Sequence, residues 1–548
     1  MYAAHNEISR QRILAALNLD RASATVGSFD RHHWGWKKRD FPDVTLQFAL
    51  LPYLKSGGGL NDELLCRTVL AFCCRAVRPD GSCDQCYPFE RHPKTFLDIA
   101  PAVIEVLRRF GDRLDPALAS RAREMLRRGI EFSLKHEEAY AFIANHLAHH
   151  AYVYLLAHEM LDDHRCYQRA EEALHRIEVH TDPEGWHQEY TGADPGYQTR
   201  TLAYLVRCLD RLEPAPRRRC EALCHRSAAF LDRLILPDGT LYAMFGSRNT
   251  AIVHPSGIEY MALHWPERFA GLAFRVRESI RTGRAILPMH LEFDNFVRLF
   301  DDFIDAQRCY EQNRILSPTE DGPAPFHLDG AGLTMTRTDN VRVYCHHKYG
   351  GAVAVYRQDA LLCKDAGLLF ERADGRCFGA RNVLSPSTLQ RRDERTTTVC
   401  TELFESLHRE LTPLRLVVLR LLNLTVLRVG WFADRFRTLI VRSMITGRPR
   451  RGHGTVTRRV TVDAASLRIE DECRLAFVPR RVGRRTELNL FHMASSRYNH
   501  PADRRLRWQV AEAFPPRRDF RLTRTVRFGA GGSADAPQAV EEQPGHDG

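Results

Sequence analysis

The sequence predicts a multidomain α+β protein: an N-terminal (α/α) incomplete toroid followed by an antiparallel β-sandwich-like domain. Three observations carry this expectation. Apolar residues recur at helical spacing through roughly the first 325 positions. Three connections within that stretch resemble one another. Beyond residue 325, short runs with period-two alternation replace the helical pattern.

The helical pattern is clearest over 98–110 (DIAPAVIEVLRRF), 148–161, 199–212 and 222–234. The similar connections are PDGSCDQCYPFE (79–90), DPEGWHQEY (182–190) and PDGTLYAMFGS (237–247). Each sets an acidic residue before a Gly, then aromatic and polar residues. Gly tolerates positive φ and Asp bonds its own backbone, so each reads as a turn. Repeated helix–turn–helix units suggest hairpins arranged in a ring or solenoid, with equivalent loops gathered at one mouth.

A Pro/Gly-containing segment, SPTEDGPAPFHLDGAG, marks the change of character. The runs after it are VRVYCHH, AVAVYR, ALLCKDAGLLF, GTVTRRVTV, SLRIEDECRL, ELNLFHM and FRLTRTVRF, which read as antiparallel strands. The expected domains are 1–325, helical; 326–530, β-sheet, with an amphipathic insertion at about 411–450; and 531–548, a disordered tail. The insertion threads arginines through a strongly apolar run. It reads either as a helical piece packed on the sheet or as an element lying on an anionic membrane surface.

The 548 residues suit two large domains, and 44% hydrophobic with 27% charged is ordinary for a folded chain. A formal net charge of +11, carried largely by arginine, attracts nucleic acid, an anionic membrane or an acidic polymer. Neither zinc-finger spacing nor an RNP-type aromatic run accompanies it, so nucleic acid is not the expected partner. An acidic polysaccharide is expected instead, with an anionic membrane surface reached through 411–450 as a second partner. The first twenty residues do not read as a signal peptide, and no apolar run reaches the length of a membrane span. The fifteen scattered cysteines fit reduced thiols. The expected location is cytoplasmic, or peripheral at the inner membrane. Oligomeric state is not legible.

The densest chemistry lies between 145 and 200. AFIANHLAHHAYVYLLAHEML is helical and sets Asn145 one turn from His149 and His146 one turn from His150. A Gly- and Pro-containing loop then carries His187, Glu189, Tyr190 and Tyr197, with Arg200 opening the next helix. Uronate chemistry needs such groups. Removing the proton beside a C6 carboxylate requires hydrogen bonds to the developing enolate-like oxygens, which an Asn and a His supply. A base must take the proton and an acid must protonate the leaving oxygen, and a Tyr hydroxyl serves either role.

An NH pair opening an apolar helix, followed by EG-x-x-x-E and a Tyr-containing loop, resembles the heparinase II/III-like polysaccharide lyases and related alginate lyases. The resemblance implies that Asn145 and His146 neutralise the uronate, that Tyr197 is the acid/base, and that Glu189 is the acidic loop residue. It implies β-elimination, a carbon–oxygen lyase reaction. GSFDRHHWGWKKRDFPD, GSRNTAIVHPSGIEY and the Arg-rich insertion are also similar to heparinase-like proteins linked to bacterial surface-polysaccharide production, which implies a place in exopolysaccharide or capsule metabolism. The chain departs from the family in one respect. Where active members carry an HxHxD stretch that completes the site or holds a divalent metal, this chain has YGGAVAVYRQDALLCKD. Asp359 remains, His346 and His347 lie just upstream, and the usual histidines of a β-domain metal are missing.

Three further features stand beside these. His146 and His150 have zinc-pair spacing without an evident third ligand. Arg248 is a candidate carboxylate contact. Trp34 and Trp36, in WGWKKRDFP, are candidates to line a glycan groove. Two alternatives to elimination stay open: C5 epimerisation of a uronate, and a non-catalytic glycan-binding or assembly factor.

Overall fold

A computed structural model of the chain describes residues 1–29, 44–57, 62–85, 87–138, 141–242, 247, 250–313, 324–338, 341–358, 360–379, 387–393, 395–405, 413–444, 452–484, 517–528 and 543–544. Trp34, Trp36, Arg248 and Asp359, the ELNLFHM run, and all of the tail except Gln543–Pro544 lie outside the described residues.

The helical half runs α1 (Tyr2–Ala16), a 3-10 turn (Val44–Ala49), α2 (Leu50–Lys55), α3 (Asp62–Ala76), α4 (Pro93–Phe110), α5 (Pro116–Lys135), α6 (Ala144–Leu161), α7 (His164–Val179), α8 (Pro195–Cys208), α9 (Pro214–Asp232), α10 (Ser256–His264), α11 (Pro266–Arg281) and α12 (Phe293–Gln312). Pro sits in the first turn of α4, α5, α8, α9 and α11, where a missing N–H costs nothing. Asp115 and Asp194 cap α5 and α8 by accepting from the backbone N–H groups of Leu118 and Tyr197. Even-numbered helices pack on one another in sequence, α4 on α6, then α8, α10 and α12. α12 meets α2 and the 3-10 turn, and both meet α4, which closes the circuit. α5, α7, α9 and α11 each back the preceding helix.

The three similar loops share one backbone geometry. Gly81, Gly185 and Gly239 have φ of +86°, +99° and +75°. In each, the Gly N–H closes on the carbonyl three residues back: Arg78, Asp182 and Leu236. A Cβ on Gly185 would lie 2.4 Å from the Arg226 carbonyl oxygen of α9. Gly81 and Gly239 press still more closely on the carbonyl oxygens of Arg128 of α5 and Arg275 of α11. The Gly is therefore required twice over, by conformation and by contact.

The β half comprises β1 (Phe326–Leu328), β2 (Leu333–Thr338), β3 (Val341–His346), β4 (Ala352–Arg357), β5 (Ala360–Asp365), β6 (Leu368–Glu371), β7 (Cys377–Gly379), β8 (Thr388–Arg392), β9 (Thr396–Glu402), β10 (Phe404–Glu405), β11 (Gly454–Val462), β12 (Ser466–Leu475), β13 (Arg481–Arg484), β14 (Asp519–Arg527) and β15 (Gln543–Pro544). Among the described residues they form three antiparallel sheets, ordered β1-β2-β3-β4-β5, β10-β7-β6-β13 and β15-β14-β12-β11-β9-β8.

Alternation explains how the layers stack. On β3, Tyr344 joins the helical core, while Val341, Val343 and Cys345 pack against Val460, Val462, Leu467 and Ile469 of the six-stranded sheet. The first sheet is thus buried on both faces, between helices and a second sheet. Arg458 is sealed in this sandwich, bidentate to Asp471 at 2.6 and 2.7 Å and bonded to Asp365 at 2.8 Å.

The insertion contains α13 (Pro413–Leu424) and α14 (Gly430–Met444). Its ring contacts run to the 87–91 segment of the helical half: Phe436 meets Tyr87 edge-on at 6.3 Å, and the Arg428 guanidinium lies 5.8 Å from the Phe89 ring. The aromatic side chains that follow the first P-D-G turn provide that seat. No helix among the described residues is long and apolar enough to cross a membrane.

Candidate functional site

The loop between α7 and α8 is clamped to the start of α6. The Ala144 N–H donates to Gln188, the Tyr190 N–H donates to Phe142 at 2.7 Å, and Ile143 and Glu189 form an antiparallel bridge. Tyr190 takes φ of +60° to make this turn, a conformation costing a side-chain-bearing residue about 1 kcal/mol. Beneath the clamp, the Asn145 amide donates to both Glu189 carboxylate oxygens, at 2.8 and 2.9 Å. Both residues are buried. Asn145 therefore holds the loop through Glu189, one layer below the surface.

His146 does not join it. Its Nδ1–H donates to Glu138 at 2.7 Å, and it lines a cavity of about 50 Å³ with His150, Arg169 and Arg176. Neither Asn145 nor Tyr197 lines that cavity. Consecutive helical residues point about 100° apart, and here the two side chains turn to different carboxylates, Glu189 and Glu138. Burial pushes the His146 imidazole down to about 3 and that of His150 to about 4, so both are neutral near pH 7. Among the described residues, no group of three or more His, Cys, Asp or Glu side chains is placed to hold a metal ion.

His187 closes the base of its own loop. The Thr181 hydroxyl donates to Ile177, so it accepts from His187 Nδ1 at 2.8 Å. The His187 N–H donates to Gln198, whose amide in turn donates to Gly185 and Ser227. Burial pushes His187 down to about 3. Its contacts are those of a loop fastener.

Tyr197 and Arg200 share one face of α8, three residues apart. Tyr197 is half-buried, while Arg200 is 9% exposed. No carboxylate among the described residues pairs with Arg200, and its Nε has no hydrogen-bond partner there. Its neighbours are a Tyr204 ring, 5.9 Å from the guanidinium, and two imidazoles, His149 and His254. Burial, reinforced by Arg200, holds His254 well below the usual histidine range. Burial does the same to His149, with Asp98 opposing it. Two interior cations nearby do have a carboxylate partner. Arg298 bonds Asp98 at 3.0 Å, and Lys94 lies 3.1 Å from the same carboxyl. Burial alone would raise Asp98, but Arg298 and Lys94 hold it well below the carboxylate range. A buried guanidinium without an anion is costly, so Arg200 is the position where one is called for.

Sequence reasoning missed two neighbours, Tyr349 and His254, and placed His346 only as lying upstream of the missing histidines. Tyr349 reaches the loop from the β half: a Cβ on Gly192 would lie 2.7 Å from its hydroxyl. His346 stacks on Tyr349, with ring centroids 4.4 Å apart. The double-glycine turn Gly350–Gly351, with φ of +71° and +66°, shapes this hairpin, and HHKYGG was its signal. His254 is brought in because its N–H donates to Thr199 of α8. Glu184 ties the halves together, accepting from the Gly330 and Ala331 N–H groups at 2.7 and 2.8 Å.

No protein-family model matches the chain. No curated protein matches it. Among solved structures it is similar to the Streptomyces coelicolor A3 chondroitin AC lyase in complex with chondroitin sulphate, at 11% identity and a TM-score of 0.53. That likeness covers 89% of this chain and 68% of the lyase. It is also similar to heparinase III, at 10% identity and a TM-score of 0.51, covering 87% of this chain and 73% of that one. What the chain shares with these polysaccharide lyases is a fold, in which a helical half is joined to antiparallel sheets.

Proposed function

We propose that the protein acts on an acidic, uronate-containing polysaccharide by abstracting the proton beside the carboxylate, with β-elimination as the outcome. The circuit of even-numbered helices is read as an (α/α) toroid with the α7–α8 loop at its mouth. The observation that carries the reading is Arg200: a buried guanidinium on the site face of α8, unpaired among the described residues and one turn from Tyr197. A uronate carboxylate supplies the missing anion, and a guanidinium binds carboxylate bidentately. Charge pairing there favours the enolate-like state that follows loss of the C5 proton. Tyr197 is the acid/base group. Asn145 and Glu189 are positioning residues, and His254, kept neutral by burial, is a hydrogen-bonding neighbour. The fold likeness to chondroitin AC lyase and heparinase III supports an acidic glycan as the partner. The proposed setting is exopolysaccharide or capsule metabolism, where such uronate polymers occur.

The test is incubation with a panel of uronate polymers, reading the absorbance of the unsaturated uronate. Elimination gives that signal. Solvent deuterium entering at C5 without chain cleavage assigns epimerisation instead. Tight binding with neither signal makes the protein a glycan-binding factor and overturns the catalytic reading.

A further inference from the structure

We infer that the α13–α14 insertion is a docking face for an anionic phospholipid bilayer. Amphipathic helices normally bury their apolar stripe, and α13 does the reverse. Leu414, Val417, Val418, Leu421 and Leu424 recur at i, i+3, i+4, i+7 and i+10, and all are exposed, Leu414 at 72%. The side turned inward carries Asn423, whose buried amide has no partner among the described residues. The stripe continues into α14 through Trp431, 55% exposed. Ten of the seventeen exposed large hydrophobic side chains among the described residues fall in this one segment. So concentrated an apolar surface marks an interaction site.

The orientation is fixed. Leu427 and Ala433, at the joint of the two helices, are buried, and Phe436 and Arg428 engage Tyr87 and Phe89. The insertion is thus held by its joint, with the stripe facing out.

Charge selects the occupant. Residues 413–444 carry six arginines and one acidic residue, Asp434, for a net charge of +5. Arg415, Arg420, Arg428 and Arg435 are exposed beside the stripe. Two copies of this face would bring like charges together, whereas an anionic lipid surface neutralises them while its acyl region accepts the stripe. At twelve residues, α13 is about 18 Å long against a hydrocarbon core of about 30 Å, so it lies on the bilayer and does not span it. Docking here uses none of the residues of the Arg200 site and needs no enzymatic activity.

The full chain should float with vesicles of phosphatidylcholine and phosphatidylglycerol and not with phosphatidylcholine alone, and added salt should weaken the binding. Each exposed arginine changed to Gln should weaken it about fivefold. The double variant Leu421→Glu, Trp431→Glu should lose binding with an unchanged thermal midpoint, since both side chains are exposed. Absence of binding to either vesicle, equal binding to both, or a stable dimer that the double variant dissociates would each overturn the inference.

Discussion

Asn145 gives its amide to both oxygens of Glu189 across 44 residues of sequence, and this pair fixes where the α7–α8 loop sits on α6. Both side chains are shielded from water, so neither can exchange its partner for solvent. Asn145→Ala takes a two-pronged donor away from a buried carboxylate. The expected cost is about 3 kcal/mol, read as a lower urea midpoint. Glu189→Gln, which removes the charge and keeps the shape, should cost less than half as much. Equal losses in the two variants would contradict the pairing.

The P-[DE]-G turns make a second prediction. Gly185→Ala places a Cβ against the Arg226 carbonyl at positive φ, and should destabilise by about 2–4 kcal/mol. Gly283 has φ of +70°, and nothing lies within 4 Å of the place a Cβ would take, so Gly283→Ala should cost only about 1 kcal/mol. Thermal unfolding of the two variants checks the difference, and similar midpoints would refute the contact argument.

Acid lability follows from the buried imidazoles. His146 and His187 are pushed down to about 3, and His150 and His347 to about 4, in each case chiefly by burial. Their unfolded values lie near 6.5. Below that pH the unfolded chain binds more protons than the native one, so stability falls as pH drops from about 6.5 towards 4. Asp98, held low by Arg298 and Lys94, adds a loss of the same sign at still lower pH. Urea midpoints should therefore fall continuously below about pH 6.5. A flat profile down to about pH 5 would show that these imidazoles are not neutral and buried.

The parts of the fold written in local periodicity were legible in the sequence. The three loops announced their turn through Gly81, Gly185 and Gly239, and Val341, Val343 and Cys345 announced a strand by alternation. What stayed hidden depends on partners distant in sequence. Nothing local says that Asn145 meets Glu189 while its neighbour His146 meets Glu138. Nothing local says that Tyr349 reaches Gly192, or that Arg200, unlike Arg298 and Lys94, has no carboxylate beside it among the described residues. The α13 stripe was visible as amphipathic, but which way it faced was set by Tyr87 and Phe89, more than three hundred residues earlier.

Titration calorimetry tests most directly the proposal that Arg200 receives a uronate carboxylate. The wild type and Arg200→Met would each be titrated with a uronate oligosaccharide and with its carboxyl-reduced counterpart. The acidic sugar should bind the wild type about 10–100-fold tighter than the variant, the worth of one charge-assisted hydrogen-bonded contact, and the reduced sugar should bind both equally weakly. Equal affinity of the acidic and reduced sugars for the wild type would contradict it.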